Sequence, residues 1–346
     1  MDAGTRIDWG YVRSEAGGIF VGTPTPVAAV TEQPAEANPP LQTVDDRADP
    51  NDVGSVRAGP DANAVSGRVE WDALHSLWNG SMLALTLFVA PFVVTPGALF
   101  IFILTTGLTL LAGHSVGFHR LMIHRSFKTS RAVEYILVWL GTLVGMSGPH
   151  WMMRTHDLRD WAQRQPDCHA YLAHKNGMLR DYWWQLHCRL TLDQPPTYDL
   201  GPIANDRFYR FMERYWMAQQ IPLALILYAA GGIGWVVWGI AVRVCISVTG
   251  HWYIGHLAHN RGPQSWIVEA SGVQAFDVPW AAIPSMGESW HNNHHAFPGS
   301  ARIGLYPGQS DWGYAFIRLL ALVGLARNIR LPEQMPARYD ALRAVD

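Results

Sequence analysis

Two long stretches of this chain contain almost no charged side chains. Residues 73–119 include no Asp, Glu, Lys or Arg, and Arg243 is the only charged residue within 215–260. A membrane-spanning helix needs about 20 mostly apolar residues, so each stretch is long enough for two. A helix of a water-soluble core would carry charged residues on one face at helical spacing, and these stretches do not. We therefore predict membrane-embedded α-helices.

The turn signals divide the two stretches into hairpins. Thr95-Pro96-Gly97 interrupts the first stretch and Gly231-Gly232 interrupts the second. We predict an all-α integral membrane protein with four transmembrane helices, near residues 77–94, 98–113, 217–230 and 234–250, and a cytosolic helical cap. Neither turn contains Lys or Arg, so the positive-inside rule predicts that both termini and the long middle segment are cytosolic. This orientation suits an inner or cytoplasmic membrane.

The ends of the chain differ in composition from its centre. Residues 1–68 are rich in Pro, Ala, Gly, Asp and Val and show no helical or strand period, which predicts a disordered tail and not a signal peptide. We expect one folded membrane domain over residues 69–330 and a C-terminal tail over 331–346. With 26 basic and 28 acidic residues, the chain has no excess of positive charge for binding nucleic acid.

Fourteen of the 15 histidines lie between His114 and His295, and three of them are packed into a five-residue segment. His291, His294 and His295 have the i, i+3, i+4 spacing that places side chains on one face of a helix. Neutral imidazole binds iron, copper, nickel and zinc, so this cluster predicts a metal site. A hydrogen-bonded histidine patch is the alternative.

Histidines also occur at the predicted cytosolic ends of the helices. His119 and His124 follow the second span, His156 lies in the middle segment, and His256 and His259 end the fourth span. Each pair alone is compatible with a structural or interfacial role. Ionisable groups near a bilayer are costly, so their convergence favours a functional site.

The sequence resembles the membrane fatty acid desaturase family, most closely its acyl-CoA delta-9 (stearoyl-CoA) branch. The resemblance covers roughly residues 75–330. It is carried by four motifs: His119-Arg-Leu-Met-Ile-His124-Arg-Ser-Phe-Lys, Trp151-x2-Arg-x-His156, Ala258-His259, and Gly287-Glu-Ser-Trp-His-Asn-Asn-His-His-Ala-Phe-Pro298.

The resemblance implies two non-haem irons at the cytosolic membrane face, which use dioxygen as co-substrate to remove two hydrogens from an acyl chain. The residues that match the metal ligands of the family are His119, His124, His156, His259, His291, His294 and His295. A strong oxidant needs shielding from water, which an apolar tunnel in the membrane would supply.

The second histidine box departs from the H-x-x-H-H pattern of the family. It reads His156-Asp-Leu-Arg159-Asp160, and an arginine cannot bind a metal because it has no lone pair to offer. Asp160 is a candidate carboxylate ligand, and an Arg159–Asp160 salt bridge is the alternative. Gly255 stands where the family usually has an asparagine. Candidates for an additional metal ligand are His256, next to Gly255, and also His114, His150 and His251, whereas His169 is expected to support the site or the fold.

The substrate head group is expected on the cytosolic face, near Arg120, Arg125 and Lys128. The acyl chain would be carried by coenzyme A, acyl carrier protein or a membrane lipid. The chain has no G-x-G-x-x-G motif, so electrons are expected from a ferredoxin, a rubredoxin or a small b-type cytochrome.

The altered second box leaves three outcomes open: a desaturase, a related lipid hydroxylase or acetylenase, and a non-catalytic relative. Two further classes remain as rivals. A membrane haem protein would place paired histidines within the spans, and a lipid-binding regulator would need no metal.

Overall fold

The computed structural model describes residues 52–269, 271–335 and 342–345, and most of these residues are helical. The α-helices of this part are α1 Ala73–Phe88, α2 Pro96–Leu108, α3 Arg131–Leu143, α4 Pro149–Arg164, α5 Met178–His187, α6 Arg207–Arg214, α7 Gln220–Val236, α8 Arg243–Ala258, α9 His291–Ala296 and α10 Trp312–Leu322. Two π-helical segments, Thr109–Ile123 and Val237–Val242, continue α2 and join α7 to α8.

Three helical stretches are long and apolar enough to cross a membrane: Ala73–Phe92, Pro96–Ile123 and Met217–Ala258. Their outer surface carries large apolar side chains such as Phe88, Ile103 and Leu225, each about two thirds exposed or more. Such a surface is stable in hydrocarbon and not in water. The prediction of long apolar helices is confirmed. The third stretch has 42 residues, and the division into four spans stays a prediction.

The predicted turns coincide with the ends or breaks of these helices. Thr95 caps α2, because its hydroxyl accepts a hydrogen bond from the backbone N–H of Ala98, and Pro96 occupies the first helical position. Gly232 breaks α7 with φ 71° and ψ −164°, a conformation that strongly favours glycine.

Small residues let the π-helical segment pack directly on α3. A Cβ atom added to Gly113 would lie 2.4 Å from the carbonyl carbon of Leu140, and one added to Gly117 would lie 2.5 Å from the carbonyl oxygen of Leu137. The two backbones therefore touch at these glycines. This contact fixes the position of the segment that carries His119 and His124.

Short antiparallel strands complete the fold outside the apolar helices. They are β1 Asp52–Val53, β2 Val56–Arg57, β3 Gly67–Trp71, β4 Cys188–Leu192, β5 Thr197–Tyr198, β6 Trp266–Val268 and β7 Leu342–Ala344. They pair as β1–β2–β5, β3–β4 and β6–β7. The prediction of an all-α fold missed these strands. Most of them have only two or three residues, too few for a recognisable alternation, whereas the five residues of β4, Cys188-Arg-Leu-Thr-Leu192, do alternate apolar and polar side chains and were a usable signal.

The boundary predicted for the N-terminal tail is wrong at its inner end. Residues 1–51 of the predicted tail lie outside the described residues, but residues 52–68 are folded against the protein. Val56 is fully buried, and the backbone N–H and hydroxyl of Ser55 both donate to Asp157 on α4, at 2.7 and 2.6 Å. In the predicted C-terminal tail, β7 pairs with β6.

Candidate metal centre

The first group of converging histidines consists of His119, His124, His156 and His294, and their ligand nitrogens all lie within 4.8 Å of one another. They come from the π-helical segment and its C-terminal end, from α4 and from α9. The Nε2 atoms of His119 and His294 are 3.3 Å apart.

The π-helical winding explains the spacing of the first pair. The backbone N–H of His124 donates to the carbonyl oxygen of His119, which is the i to i+5 hydrogen bond of a π-helix. This winding brings residues five apart to the same side of the helix, and the two rings are 4.7 Å apart. In an α-helix the two rings would diverge.

The second group consists of His259, His291 and His295. The Nε2 atom of His291 lies 3.3 Å from that of His259 and 3.0 Å from that of His295. His259 follows α8, at the end of the third apolar stretch. Because His294 on α9 belongs to the first group, α9 joins the two groups.

Two asparagines within the cluster anchor α9. The side-chain oxygen of Asn292 accepts from the backbone N–H groups of Ser265 and Trp266, both at 2.8 Å. Asn293 donates to the carbonyl oxygen of Ile303 at 3.0 Å. Both asparagines are buried. In the His-Asn-Asn-His-His sequence, the histidines are the candidate ligands and the two asparagines hold the helix in place.

The geometry and chemistry of both groups fit a metal ion such as iron. Two nitrogens bound to one metal at about 2.1 Å lie about 3.0–3.4 Å apart for octahedral or tetrahedral angles. The Nε2 pairs have this separation. Burial lowers the pKa of His291 to about 4, and it holds the pKa values of His259 and His294 well below their usual range. These rings are therefore neutral, as metal binding requires.

Carboxylates support two of the rings from the opposite side. Glu288 Oε2 lies 2.6 Å from Nδ1 of His119, and Asp157 Oδ1 lies 3.3 Å from Nδ1 of His156. Metal-bound histidines commonly donate their second N–H to a carboxylate, which fixes the ring and its tautomer. Burial opposes protonation of His156, but Asp160 and Asp157 together raise its pKa.

Asp160 and Arg159 lie beside the two groups. Asp160 Oδ2 is 3.9 Å from Nδ1 of His156, and Arg159 donates to Gln185 Oε1 at 2.7 Å. A small pocket lined by Asp160, Gln163 and Arg164 reaches His294 and His295. The groups of converging ligand atoms found among the described residues do not include Asp160, so its role as a metal ligand stays a prediction.

A third buried group was not foreseen from the sequence. Asp181 Oδ2 accepts hydrogen bonds from His174 Nδ1, His256 Nδ1 and Trp252 Nε1, each at 2.9 Å. The ring of His174 lies parallel to that of His259, with centroids 5.2 Å apart. His174 adopts a left-handed φ of 54°, which is unusual for a histidine. The ligand atoms of His174, Asp181 and His256 also lie within 4.8 Å of one another, and the role of His256 as an additional metal ligand stays a prediction.

The remaining predicted residues lie outside the two groups. His150 contacts the carbonyl oxygen of Ile203, His169 accepts from the backbone of Tyr171, and His114 packs against His251. Arg120 is buried and pairs with Glu288 and Asp311, so it is not available to a substrate head group. Arg125 is exposed and Lys128 is half-buried.

Apolar helices of membrane-spanning length, with two groups of converging histidines at their ends, indicate a membrane protein with histidine groups that could bind a metal. The profile of the family described as Fatty acid desaturase matches residues 95–302, which include both groups. The chain belongs to this family. Its members are oxidoreductases that introduce double bonds into fatty acyl chains and use a non-haem diiron centre, as the sequence motifs predicted.

Characterised desaturases are similar to the chain over most of its length. It is 34% identical to the sn-1 stearoyl-lipid 9-desaturase of Anabaena variabilis, over 68% of this chain and 84% of that protein. It is 32% identical to the protein of the same name from Synechocystis sp., over 68% of this chain and 72% of that protein. It is 29% identical to Acyl-CoA 5-desaturase AL21 of Anemone leveillei, over 77% and 82%.

Proposed function

We propose that this chain is a membrane-bound, oxygen-dependent desaturase that introduces a double bond into a fatty acyl chain, with two non-haem irons. The observation that carries the proposal is the presence of two adjoining groups of imidazole nitrogens, each with an Nε2 pair at the separation expected for one metal. A haem protein would instead pair its histidines across the core of the bundle. A regulator without a metal would have no use for seven converging imidazoles.

The residues of the chain would divide the work as follows. His119, His124, His156 and His294 hold one iron, and His259, His291 and His295 hold the other. Bound iron supplies the oxidising power, drawn from dioxygen, that removes hydrogen from an unactivated methylene. Glu288 and Asp157 keep the rings oriented, and the burial of the site limits the access of water. Asp160 remains a candidate carboxylate ligand.

Four spans arranged as two hairpins are part of this proposal. The break at Gly232 divides the 42-residue apolar stretch into two helical parts, which supports a hairpin there. His124 and His259 lie at the C-terminal ends of the second and third apolar stretches. With both hairpins in a cytoplasmic membrane, these ends and both termini would face the cytosol.

The substrate would be an acyl chain attached to coenzyme A, acyl carrier protein or a membrane lipid. Names of relatives include both acyl-lipid and acyl-CoA desaturases, which supports a substrate with a polar carrier. Arg125 and Lys128 are the candidate contacts for that carrier. Electrons would come from a ferredoxin, a rubredoxin or a small b-type cytochrome.

Expression in a bacterial host of known fatty acid content, followed by mass spectrometry of the total fatty acids, tests this function. We expect a new monounsaturated acid that depends on oxygen, and its loss in His294→Ala. His169→Asn is the matched control because His169 lies outside both groups, and it should leave the product unchanged. A hydroxylated or acetylenic product would assign the related oxidation instead. No new product in a host that supplies electrons would contradict the proposal.

A further inference from the structure

Gln163 places its side-chain oxygen next to the second group of histidines. The Oε1 atom of Gln163 lies 3.1 Å from Nε2 of His259, and both residues are about 2% exposed. Gln163 follows His156 by seven residues on α4, so two helical turns bring it to the same face. The same Nε2 atom of His259 lies 3.3 Å from Nε2 of His291.

The His259 ring and the Gln163 amide each make a second hydrogen bond, and these two bonds determine which of their atoms face each other. His259 Nδ1 lies 2.8 Å from the carbonyl oxygen of Gly255, which can only accept, so Nδ1 carries the proton. In a neutral ring Nε2 then has a lone pair and no proton. Gln163 Nε2 donates to the carbonyl oxygen of Leu172 at 2.8 Å, which turns Oε1 towards His259. Two lone-pair acceptors therefore face each other at 3.1 Å.

The other orientation of the Gln163 amide and the doubly protonated form of His259 are both unfavourable. Exchanging the oxygen and nitrogen of the Gln163 amide would set two oxygens 2.8 Å apart, at Leu172. A doubly protonated His259 would place a positive charge in a buried position beside His291 and His295, which is costly. A cation that contacts Nε2 of His259 and Oε1 of Gln163 would satisfy both lone pairs.

We propose that the side-chain oxygen of Gln163 is a ligand of the metal that His259, His291 and His295 hold. It would give this position a fourth donor and compensate for the two imidazoles that Arg159 and Asp160 replace in the second box. The inference rests on the proposed function, because it assumes that the second group binds a metal.

The neighbours of Gln163 in the second box are less well placed for this role. Arg159 has no lone pair and donates to Gln185. Asp160 approaches His156 at Nδ1, 3.9 Å away. A side-chain carbonyl oxygen is a weaker donor than imidazole or carboxylate. The two metal positions would therefore differ in ligand strength, with four imidazoles at one and three imidazoles plus an amide oxygen at the other.

Titration of the iron-free, full-length protein in detergent with Co²⁺, followed by visible absorbance, tests the proposal. We expect two Co²⁺ ions per chain in the wild type. Gln163→Leu should weaken one of the two sites by at least about 10-fold, since even the loss of an outer-shell partner of a metal ligand costs 10–100-fold. Gln165→Leu is the matched control, because Gln165 lies on the same chain segment and its side-chain amide donates to the backbone carbonyl of Trp161, away from the histidines. It should bind Co²⁺ as the wild type does.

Gln163→Glu separates ligation from a structural role. An ionised glutamate keeps an oxygen atom that can bind the metal, but it cannot donate a hydrogen bond to the carbonyl oxygen of Leu172. If Gln163 is a metal ligand, the Gln163→Glu variant should therefore bind two Co²⁺ ions with at least wild-type affinity. Weakening of one site to the same extent in Gln163→Glu and Gln163→Leu would assign the side chain a structural role and overturn the proposal. The thermal unfolding midpoint of each metal-free variant identifies misfolded protein.

The number of Co²⁺ sites in the wild type distinguishes a failure of the role of Gln163 from a failure of the proposed two-iron function. Two Co²⁺ sites in the wild type that Gln163→Leu leaves unchanged would overturn the role of Gln163 alone. Fewer than two sites in the wild type would overturn this inference together with the proposed two-iron function.

Discussion

Replacing Asp181 with alanine tests whether the buried carboxylate holds together the supporting layer of the metal centre. Asp181 is fully buried, and one of its oxygens accepts three hydrogen bonds, from His174, Trp252 and His256. Burial opposes ionisation, but these hydrogen bonds outweigh it and lower the pKa of Asp181 to about 2. The carboxylate is therefore charged at neutral pH, and its removal leaves three buried donors without their acceptor.

The size of the effect follows from these three contacts. A hydrogen bond to a charged group contributes about 1.5–3 kcal/mol, and such contributions are not additive within one network. Breaking a buried charged network typically costs about 3–5 kcal/mol. We therefore expect Asp181→Ala to lower the free energy of unfolding by about 4 kcal/mol. At roughly 2–4 °C per kcal/mol, the unfolding midpoint would fall by about 8–16 °C.

Thermal unfolding in detergent, followed by intrinsic tryptophan fluorescence, measures this change. Asp193→Ala provides the control, because Asp193 is exposed, and its removal should change stability by no more than about 0.5 kcal/mol. Equal midpoints for the Asp181 and Asp193 variants would refute the reasoning. They would mean that the carboxylate does not hold His174 and His256 in the folded protein.

Three further predictions concern the surroundings of the site. Glu288→Gln should weaken metal binding by about 10–100-fold, because Glu288 supports His119; an unchanged Co²⁺ affinity would contradict this role. Burial raises the pKa of Asp277 to about 6, so this carboxyl group binds a proton more tightly in the folded protein than in the unfolded chain. The stability of the wild type should therefore rise relative to that of Asp277→Asn as the pH falls from 7 to 5. Parallel pH dependences of the two stabilities would contradict this prediction. Gly117→Ala should lower the free energy of unfolding by about 1–3 kcal/mol, because the added Cβ would collide with the backbone of α3. A Cβ added to Gly107 meets nothing within 4 Å, so Gly107→Ala should leave the free energy of unfolding unchanged in the same measurement.

The sequence was most informative where one strong physical requirement controls the structure. The absence of charge over residues 73–119 predicts apolar helices, because a bilayer tolerates few other sequences. His119 lies near the end of one apolar stretch and His259 directly follows another, so their position at the helix ends was predictable. His156 on α4 and His291 on α9 lie outside the apolar stretches, and only the histidine motifs pointed to them. The resemblance to the desaturase family then matched each of these histidines to a position in the metal centre.

Contacts between segments far apart in the chain could not be predicted in the same way. Gln163 and Asp181 are ordinary polar residues of helices, and only folding brings them next to His259 and His256. The burial of Arg120 depends on Asp311, 191 positions later. The two-residue strand β2 pairs with its neighbour β1 and with the distant β5, and the second pairing could not be read from local sequence. The spacing of His119 and His124 was a usable signal, because five residues match the i to i+5 hydrogen bond of a π-helix.

Counting iron per chain tests the central claim most directly. The protein would be produced with ⁵⁷Fe, purified in detergent, and examined by elemental analysis and Mössbauer spectroscopy. The two histidine groups predict two high-spin irons per chain with distinguishable signals, and His156→Ala should lose one signal while His169→Asn retains both. A wild-type protein with one iron or none, after reconstitution under reducing conditions, would contradict the assignment of a diiron desaturase.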